Sequence, residues 1–261
     1  MRKRKLIFTV LLLTIALSAL SDTNMEPIRK PAPPTNEFHF SRLIYKASYY
    51  GRWWSGSRWM TDAPAAEHHL MQGLHRLIQV DMAQVSGEDG AGSRTINLHD
   101  DSVFDFPWLY AVEVGSWTLD NVEAKKLREY LERGGFLVVD DFHGTLQWAR
   151  FIKTLKQVFP DRPVVDIPNK DVIMHILYDV DEKTQIPGTY ALSMGQTYEQ
   201  DGYNPHWRGI YDDKGRLMVV INFNMDMGDA WEHADDPDYP EHYTSLAYRF
   251  AANYVVYDMT H

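Results

Sequence analysis

The sequence predicts an α/β fold: a mostly parallel central sheet flanked by helices and closed by an antiparallel C-terminal hairpin. Three observations carry this. The continuous apolar run Phe136-Leu-Val-Val139 has the composition of a strand buried on both faces of a sheet. Helical and strand periodicities alternate through the middle of the chain, as in a doubly wound sheet. Near the end, Asp212-Asp-Lys-Gly215 is a turn signal between two apolar segments.

The elements follow in order. Phe38 to Tyr45 reads as a first strand and Tyr49 to Gly56 as an aromatic-rich loop. A helix is expected from Ala63 to Met82, with Asp62 as N-cap and Leu70, Leu74, Leu77 and Ile78 on its buried face. Its polar face carries His68, His69 and His75, of which His68 and His69 would be solvated. Ser86 to Arg94 is a loop by composition, and Thr95 to Leu98 a short strand. Trp108 to Val114 is the next strand. A helix capped at Thr118 or Asp120 would follow, with Val122, Leu127, Tyr130 and Leu131 on its apolar stripe. Asp120 and Glu123 have capping-box spacing, and Gly134-Gly135 supplies the stop. After the buried strand, a helix from Thr145 to Val158 carries Leu146, Ala149, Phe151, Ile152 and Leu155 and stops before Pro160. Trp207 to Tyr211 and Arg216 to Phe223 form the hairpin. Glu241 to Tyr257 closes the chain as a helix burying Leu246, Phe250, Ala251 and Tyr254.

Ahead of this domain the N-terminus has the parts of a secretory signal. Arg2 to Lys5 is basic, Leu6 to Leu20 is apolar, and Ala19 and Ser21 are small residues spaced for cleavage. The apolar run is shorter than the ~20 residues a spanning helix needs, which favours a cleaved signal over a retained anchor. Residues 22–36 are rich in proline and charge and read as a flexible linker. The expected division is a signal peptide at 1–21, a linker at 22–36 and a single α/β domain at 37–261, in a secreted or periplasmic protein. No other run is apolar enough to span a membrane.

Composition removes several functions. The chain has no cysteine, which excludes a disulfide framework, a thiolate metal site, a lipid-anchoring thiol and a cysteine nucleophile. A net charge of -10 argues against a nucleic-acid partner. Phosphate loops, GxSxG elbows and HExxH zinc motifs are absent, so nucleotide binding and the common serine-hydrolase and zinc-protease classes have no support.

In open α/β sheets, ligands bind outside the carboxyl ends of the strands. Four segments have that address: the Trp53-Trp54 loop, Glu113 to Trp117, Asp140 to Gly144, and Asn222 to Glu232. None contains a lysine. Asp140, Asp141 and His143 form the sharpest group, because adjacent carboxylates can share a proton, hold a metal or polarise an imidazole. Glu232 is a candidate second carboxylate. With hard oxygen donors and one imidazole, a divalent cation there would be magnesium, calcium or manganese rather than zinc, although no cofactor motif is present. The structural alternative is that Asp141, four residues before Thr145, caps the following helix. Asn222, Asn224, Asp226 and Asp229 surround Gly228 in an oxygen-rich stretch without calcium-loop spacing; the alternative is a polar loop bonded to its own backbone. Trp53, Trp54, Trp59, Trp117 and Trp231 fall in expected loops, where indoles stack on sugar rings or cover a core.

Phe38-His-Phe-Ser-Arg-Leu43, Leu127 to Asp141 (LREYLERGGFLVVDD), Gly228-Asp-Ala-Trp-Glu232 and Asn253 to His261 (NYVVYDMTH) resemble the bacterial family known as domain of unknown function 4159. The resemblance covers roughly Glu37 to His261. It implies a flavodoxin-like, class I glutamine amidotransferase-like three-layer sandwich, typically exported or membrane-associated, with no assigned activity. In amidotransferases of that fold the nucleophilic cysteine occupies the tight turn after a central strand. Asp141, Phe142 and His143 stand at the equivalent turn here, so thiol chemistry does not carry over.

Three functional expectations result. One is a cell-envelope module binding a glycan, peptidoglycan fragment, small molecule or protein through its tryptophans and carboxylates. Another is a hydrolase in which Asp140 or Asp141 is base or metal ligand, His143 its acid–base partner and Glu232 or Asp229 a second carboxylate. A structural role in an envelope complex is the third option.

Overall fold

The computed structural model describes residues 37–261 apart from 50, 51, 55, 56, 181 and 182. The signal segment 1–21 and linker 22–36 lie outside the described residues, as do the side chains of Trp53 and Trp54.

In chain order the strands are β1 (Ser41–Ile44), β2 (Lys46–Tyr49), β3 (Arg52–Trp54), β4 (Arg94–Asn97), β5 (Trp108–Val112), β6 (Trp117–Thr118), β7 (Phe136–Asp140), β8 (Val165–Asp166), β9 (His206–Tyr211) and β10 (Leu217–Phe223). The helices are α1 (Ala65–Leu77), α2 (Asn121–Glu132), α3 (Gly144–Val158), α4 (Thr189–Ser193), α5 (Met227–Glu232) and α6 (Glu241–Thr260). The main sheet has the order β4-β1-β5-β7-β10-β9-β8. Its first five strands pair in parallel, and β9 and β8 close one edge antiparallel. Counted along the chain, the parallel strands therefore lie in the order second, first, third, fourth, fifth. The winding direction reverses between β1 and β5, the place where such sheets open a crevice.

Side-chain alternation along the strands produces the layers. Trp108, Tyr110 and Val112 of β5, with Phe136 and Val138 of β7, join the apolar layer that contains α1, α5 and α6. Leu109, Ala111, Leu137 and Val139 join the opposite layer, with α2 and α3. Both faces of β7 are thus apolar, which is why its sequence shows no polar alternation. Burying each such side chain is worth about 1.5–3 kcal/mol.

Several boundaries differ from expectation for local reasons. The first strand breaks at Tyr45, whose hydroxyl donates to the Val112 carbonyl at 2.6 Å. Its continuation, β2, enters a separate antiparallel sheet of order β3-β2-β6, so strands occupy part of the stretch expected as the loop 49–56. Helix α1 is shorter than 63–82: the chain turns extended at Ile78 and brings Met82 beside Phe38. Leu77 is consequently exposed, while Ile78 stays buried. Asp62 is not its side-chain N-cap; Pro64 holds that position without a side-chain bond. His68 and His69 are half-buried rather than solvated, their rings bonded to the carbonyl of Val85 and to those of Trp231 and Glu232. On α2 the Asp120–Glu123 capping box forms and Gly134 takes a φ of 117° at the stop, with Val122 turned outward. On α3, Phe151 and Leu155 are buried, but Leu146 is 50% exposed. Trp117 belongs to β6 and Trp231 to α5, not to loops.

Buried Arg42 fixes the approach to the crevice. From β1 its Nε meets Glu67 Oε1 of α1 at 2.6 Å, and its Nη1 donates to the carbonyls of Trp59 (3.0 Å) and Thr61 (2.8 Å). The guanidinium lies 5.2 Å from the Tyr110 ring centroid. Among the described residues, no helix is long and apolar enough to cross a membrane.

Candidate functional site

Three neighbouring parallel strands end the same way. The residues immediately after β5, β7 and β10 are Glu113, Asp141 and Asn224, and their φ angles are 56°, 51° and 62°. Left-handed backbone costs a non-glycine residue about 1–2 kcal/mol, and such strain concentrates at functional turns. Each turn is tied sideways: Glu113 N–H donates to Asp140 O, Asp141 N–H to Met225 O and Asn224 N–H to Phe142 O, at 3.1–3.2 Å. A polar crest results along the carboxyl ends of the strands.

Its side chains have different duties. Asp140 is fully buried, and its Oδ2 accepts from Tyr110 Oη (3.0 Å), Met227 N (2.8 Å) and Gly228 N (3.0 Å). It therefore caps the start of α5 from an adjacent strand. Burial raises its pKa to about 7 against the lowering effect of those donors. Asp226 Oδ1 caps the same helix through Asp229 N (2.8 Å), and Asp229 Oδ2 accepts from the amide and hydroxyl of Thr189 at the start of α4 (2.6 and 2.9 Å). Asn224 Oδ1 accepts from Gly144 N (2.9 Å), while its amide donates to Asn204 O (2.7 Å). Asn222 is buried and accepts from Tyr254 Oη at 2.9 Å.

Asp141 stands apart. Helix α3 is capped not by it but by Asn224, by Asp201 through Thr145 N (2.8 Å), and by Gln147 through His143 N (2.8 Å). The Asp141 carboxylate instead meets the His143 ring, Oδ1 to Nε2 at 3.2 Å. Burial raises the Asp141 pKa well above the ordinary carboxylate range, and the charges of Glu113, Asp62, Asp140 and Asp229 push the same way. Burial lowers the imidazole of His143 to about 4, partly opposed by Asp229. An ion pair would have moved both groups in the opposite sense. Burial pushes the carboxyl up and the imidazole down, so it disfavours the charged form of both partners.

Glu113 faces this pair from β5. Its Oε1 lies 2.6 Å from Arg58 Nη1, yet its pKa is raised because burial outweighs that partner. Asp62, on the loop held by Arg42, also adopts a left-handed φ of 65°, and burial followed by the charge of Asp229 raises its pKa well above normal. Asp62 does not stand out locally in the sequence as a site residue, because it lies just ahead of a helix start and reads as a cap; tertiary placement alone brings it here. Glu113 opens the segment 113–117 that the strand-end rule already places at this rim.

The remaining candidates do not bond to the Asp141–His143 pair, although Glu232 brings a carboxylate oxygen within 4.8 Å of Asp229. Glu232, at the far end of α5, is half-buried with His233 Nε2 at 3.6 Å, and its charge neighbours are Asp229, His233, Glu67 and His69. Trp117 is 2% exposed and stacks on Phe151 at 5.4 Å. Trp231 is fully buried against Tyr110 at 5.6 Å. Both indoles face the core. A groove of about 590 Å³ opens between α1 and α6, lined by Gln72, Arg76, Tyr178 and Tyr248 among others, but none of the crest carboxylates lines it.

A family model described as domain of unknown function (DUF4159) matches residues 39–259. No curated protein matches the chain.

Proposed function

The chain belongs to the DUF4159 family, and from that premise we propose that it is an exported cell-envelope enzyme of hydrolytic type in which Asp141 and His143 form the acid–base pair. The observation that carries this reading is the division of labour on the crest. Asp140, Asp226, Asp229 and Asn224 each cap a helix start through one oxygen, whereas Asp141 caps none and touches His143. Hydrolysis needs one group to take a proton from water and another to deliver one to the leaving group. A buried carboxyl and imidazole 3.2 Å apart supply one group for each task. Glu113 and Arg58 flank it as polar groups able to orient a substrate.

The parallel-strand order and the reversal between β1 and β5 support the flavodoxin-like, amidotransferase-like form of the fold. In that form Asp141 takes the place of the nucleophile on the turn after a central strand. Export rests on the basic and apolar segments of residues 1–21. A binding module without turnover is the second reading. It is favoured by the extensive capping, which makes the crest a rigid polar rim rather than a mobile site.

A chromogenic panel of p-nitrophenyl esters, phosphates and glycosides between pH 5 and 8 separates the two. The enzymatic reading expects turnover that falls at least about 100-fold in Asp141→Asn and in His143→Gln, with the melting temperature of both variants near that of the parent. Equal turnover in parent and variants, or none across the panel, would leave the binding reading.

A further inference from the structure

Beside the pair, and independent of turnover by it, Asp62, Asp226 and Asp229 each present a carboxylate oxygen within 4.8 Å of the other two. We propose that these three residues form a binding site for one hard divalent cation of the magnesium, calcium or manganese class.

The spacing suits such an ion. Oxygens bound at about 2.4 Å on opposite sides of a calcium ion lie about 4.8 Å apart, and closer ligands subtend smaller angles. The donor set is all oxygen, which selects hard cations over zinc or copper. The carboxylates are also held in place by bonds that leave other oxygens available. Asp226 uses Oδ1 to cap Asp229 N, and Asp229 uses Oδ2 for Thr189. Asp226 Oδ2 and Asp229 Oδ1 are clear of those bonds. Asp62 reaches the cluster from a loop pinned by Arg42 through the carbonyls of Trp59 and Thr61.

A cluster of acids alone would say little, since three carboxylates can share protons. The second observation is a buried oxygen without a donor. Asp62 Oδ2 is shielded from solvent and meets no hydrogen-bond partner. Asp62 Oδ2 enters from the α5 side, where a methyl group added to Gly228 would come within 2.0 Å of it. Gly188 closes the other side: a methyl there would fall 2.5 Å from Asp226 Oδ2 and 3.0 Å from Asp229 Oδ2. Glycine at both positions lets backbone pack directly against these oxygens. The cation whose charge acts on Asp62 is Arg42, whose Nε is engaged by Glu67. A carboxylate oxygen buried without a partner is unfavourable, and a bound cation would neutralise it.

Chelator-treated protein should melt about 5 °C higher on adding millimolar calcium, magnesium or manganese, and should bind one ion per chain by titration calorimetry. Asp62→Asn and Asp226→Asn should each melt no lower than the parent without metal, since they relieve repulsion, and should lose the rise on addition. Asn at 226 can still cap α5, so loss of the response would not merely report misfolding. Asp120→Asn is the control, because His99, Asp120 and Glu123 form another possible ligand group. The proposal is overturned if none of the three ions shifts melting, if the rise survives in Asp62→Asn and Asp226→Asn, or if Asp120→Asn abolishes it.

Discussion

Replacing Asp140 with asparagine should change stability more favourably the higher the pH. The amide oxygen can still accept from Met227 N and Gly228 N, so the cap on α5 survives. What disappears is an ionisable group with no exposed surface, whose pKa is raised from 3.8 to about 7. A folded-state pKa above the unfolded one means that the native state binds the proton more tightly. The associated stability is fully present below pH 4 and is lost as pH rises toward 7. Each pH unit within that window is worth about 1.36 kcal/mol. Between pH 5 and pH 8 the parent therefore crosses about two active units, and Asp140 alone withdraws about 2.7 kcal/mol of stability. Urea unfolding at the two pH values, followed by the fluorescence of buried tryptophans such as Trp231, would measure this. The advantage of Asp140→Asn over the parent should be larger at pH 8 than at pH 5 by about that amount. An advantage that is the same at both values, or larger at pH 5, would refute the assignment of Asp140 as a buried carboxyl strained by ionisation.

Other substitutions test the remaining architecture. Trp231→Ala should cost about 3–5 kcal/mol in urea unfolding, because it empties a fully buried site against Tyr110. Asn224→Ala should lower stability by about 1–2 kcal/mol by uncapping α3 at Gly144, whereas Asp141→Ala should cost less, since it caps no helix; equal losses would overturn the division of duties on the crest. Glu67→Ala should destabilise by about 3–5 kcal/mol, read by thermal melting, because it leaves the Arg42 guanidinium buried without its counter-charge.

Much of the frame is legible in the sequence because its signals are local. The run at Phe136, the Asp120–Glu123 box and the Asp212–Gly215 turn each specify an element within a few residues, and each forms as expected. The parallel order also brings the Asp140–Asp141 turn and the Gly228–Trp231 stretch into direct hydrogen-bond contact. What the sequence conceals is which carboxylate does what. Asp140 and Asp141 are indistinguishable by composition, but strand alternation sends the first under α5, and the left-handed turn swings the second toward His143. The tryptophans mislead for a related reason. An indole between elements looks exposed until the packing of Trp117 on Phe151 is known. Asp62 is hidden because Arg42, distant in sequence, decides where its loop lies.

The lateral bonds from Glu113, Asp141 and Asn224 make the three strand-end turns a single woven band rather than separate loops. Lengthening any one of them by a residue would pull a stitch from its neighbour. This part of the molecule should resist loop grafting even where its side chains tolerate exchange, and diversity among related chains at this rim should come by substitution rather than by insertion.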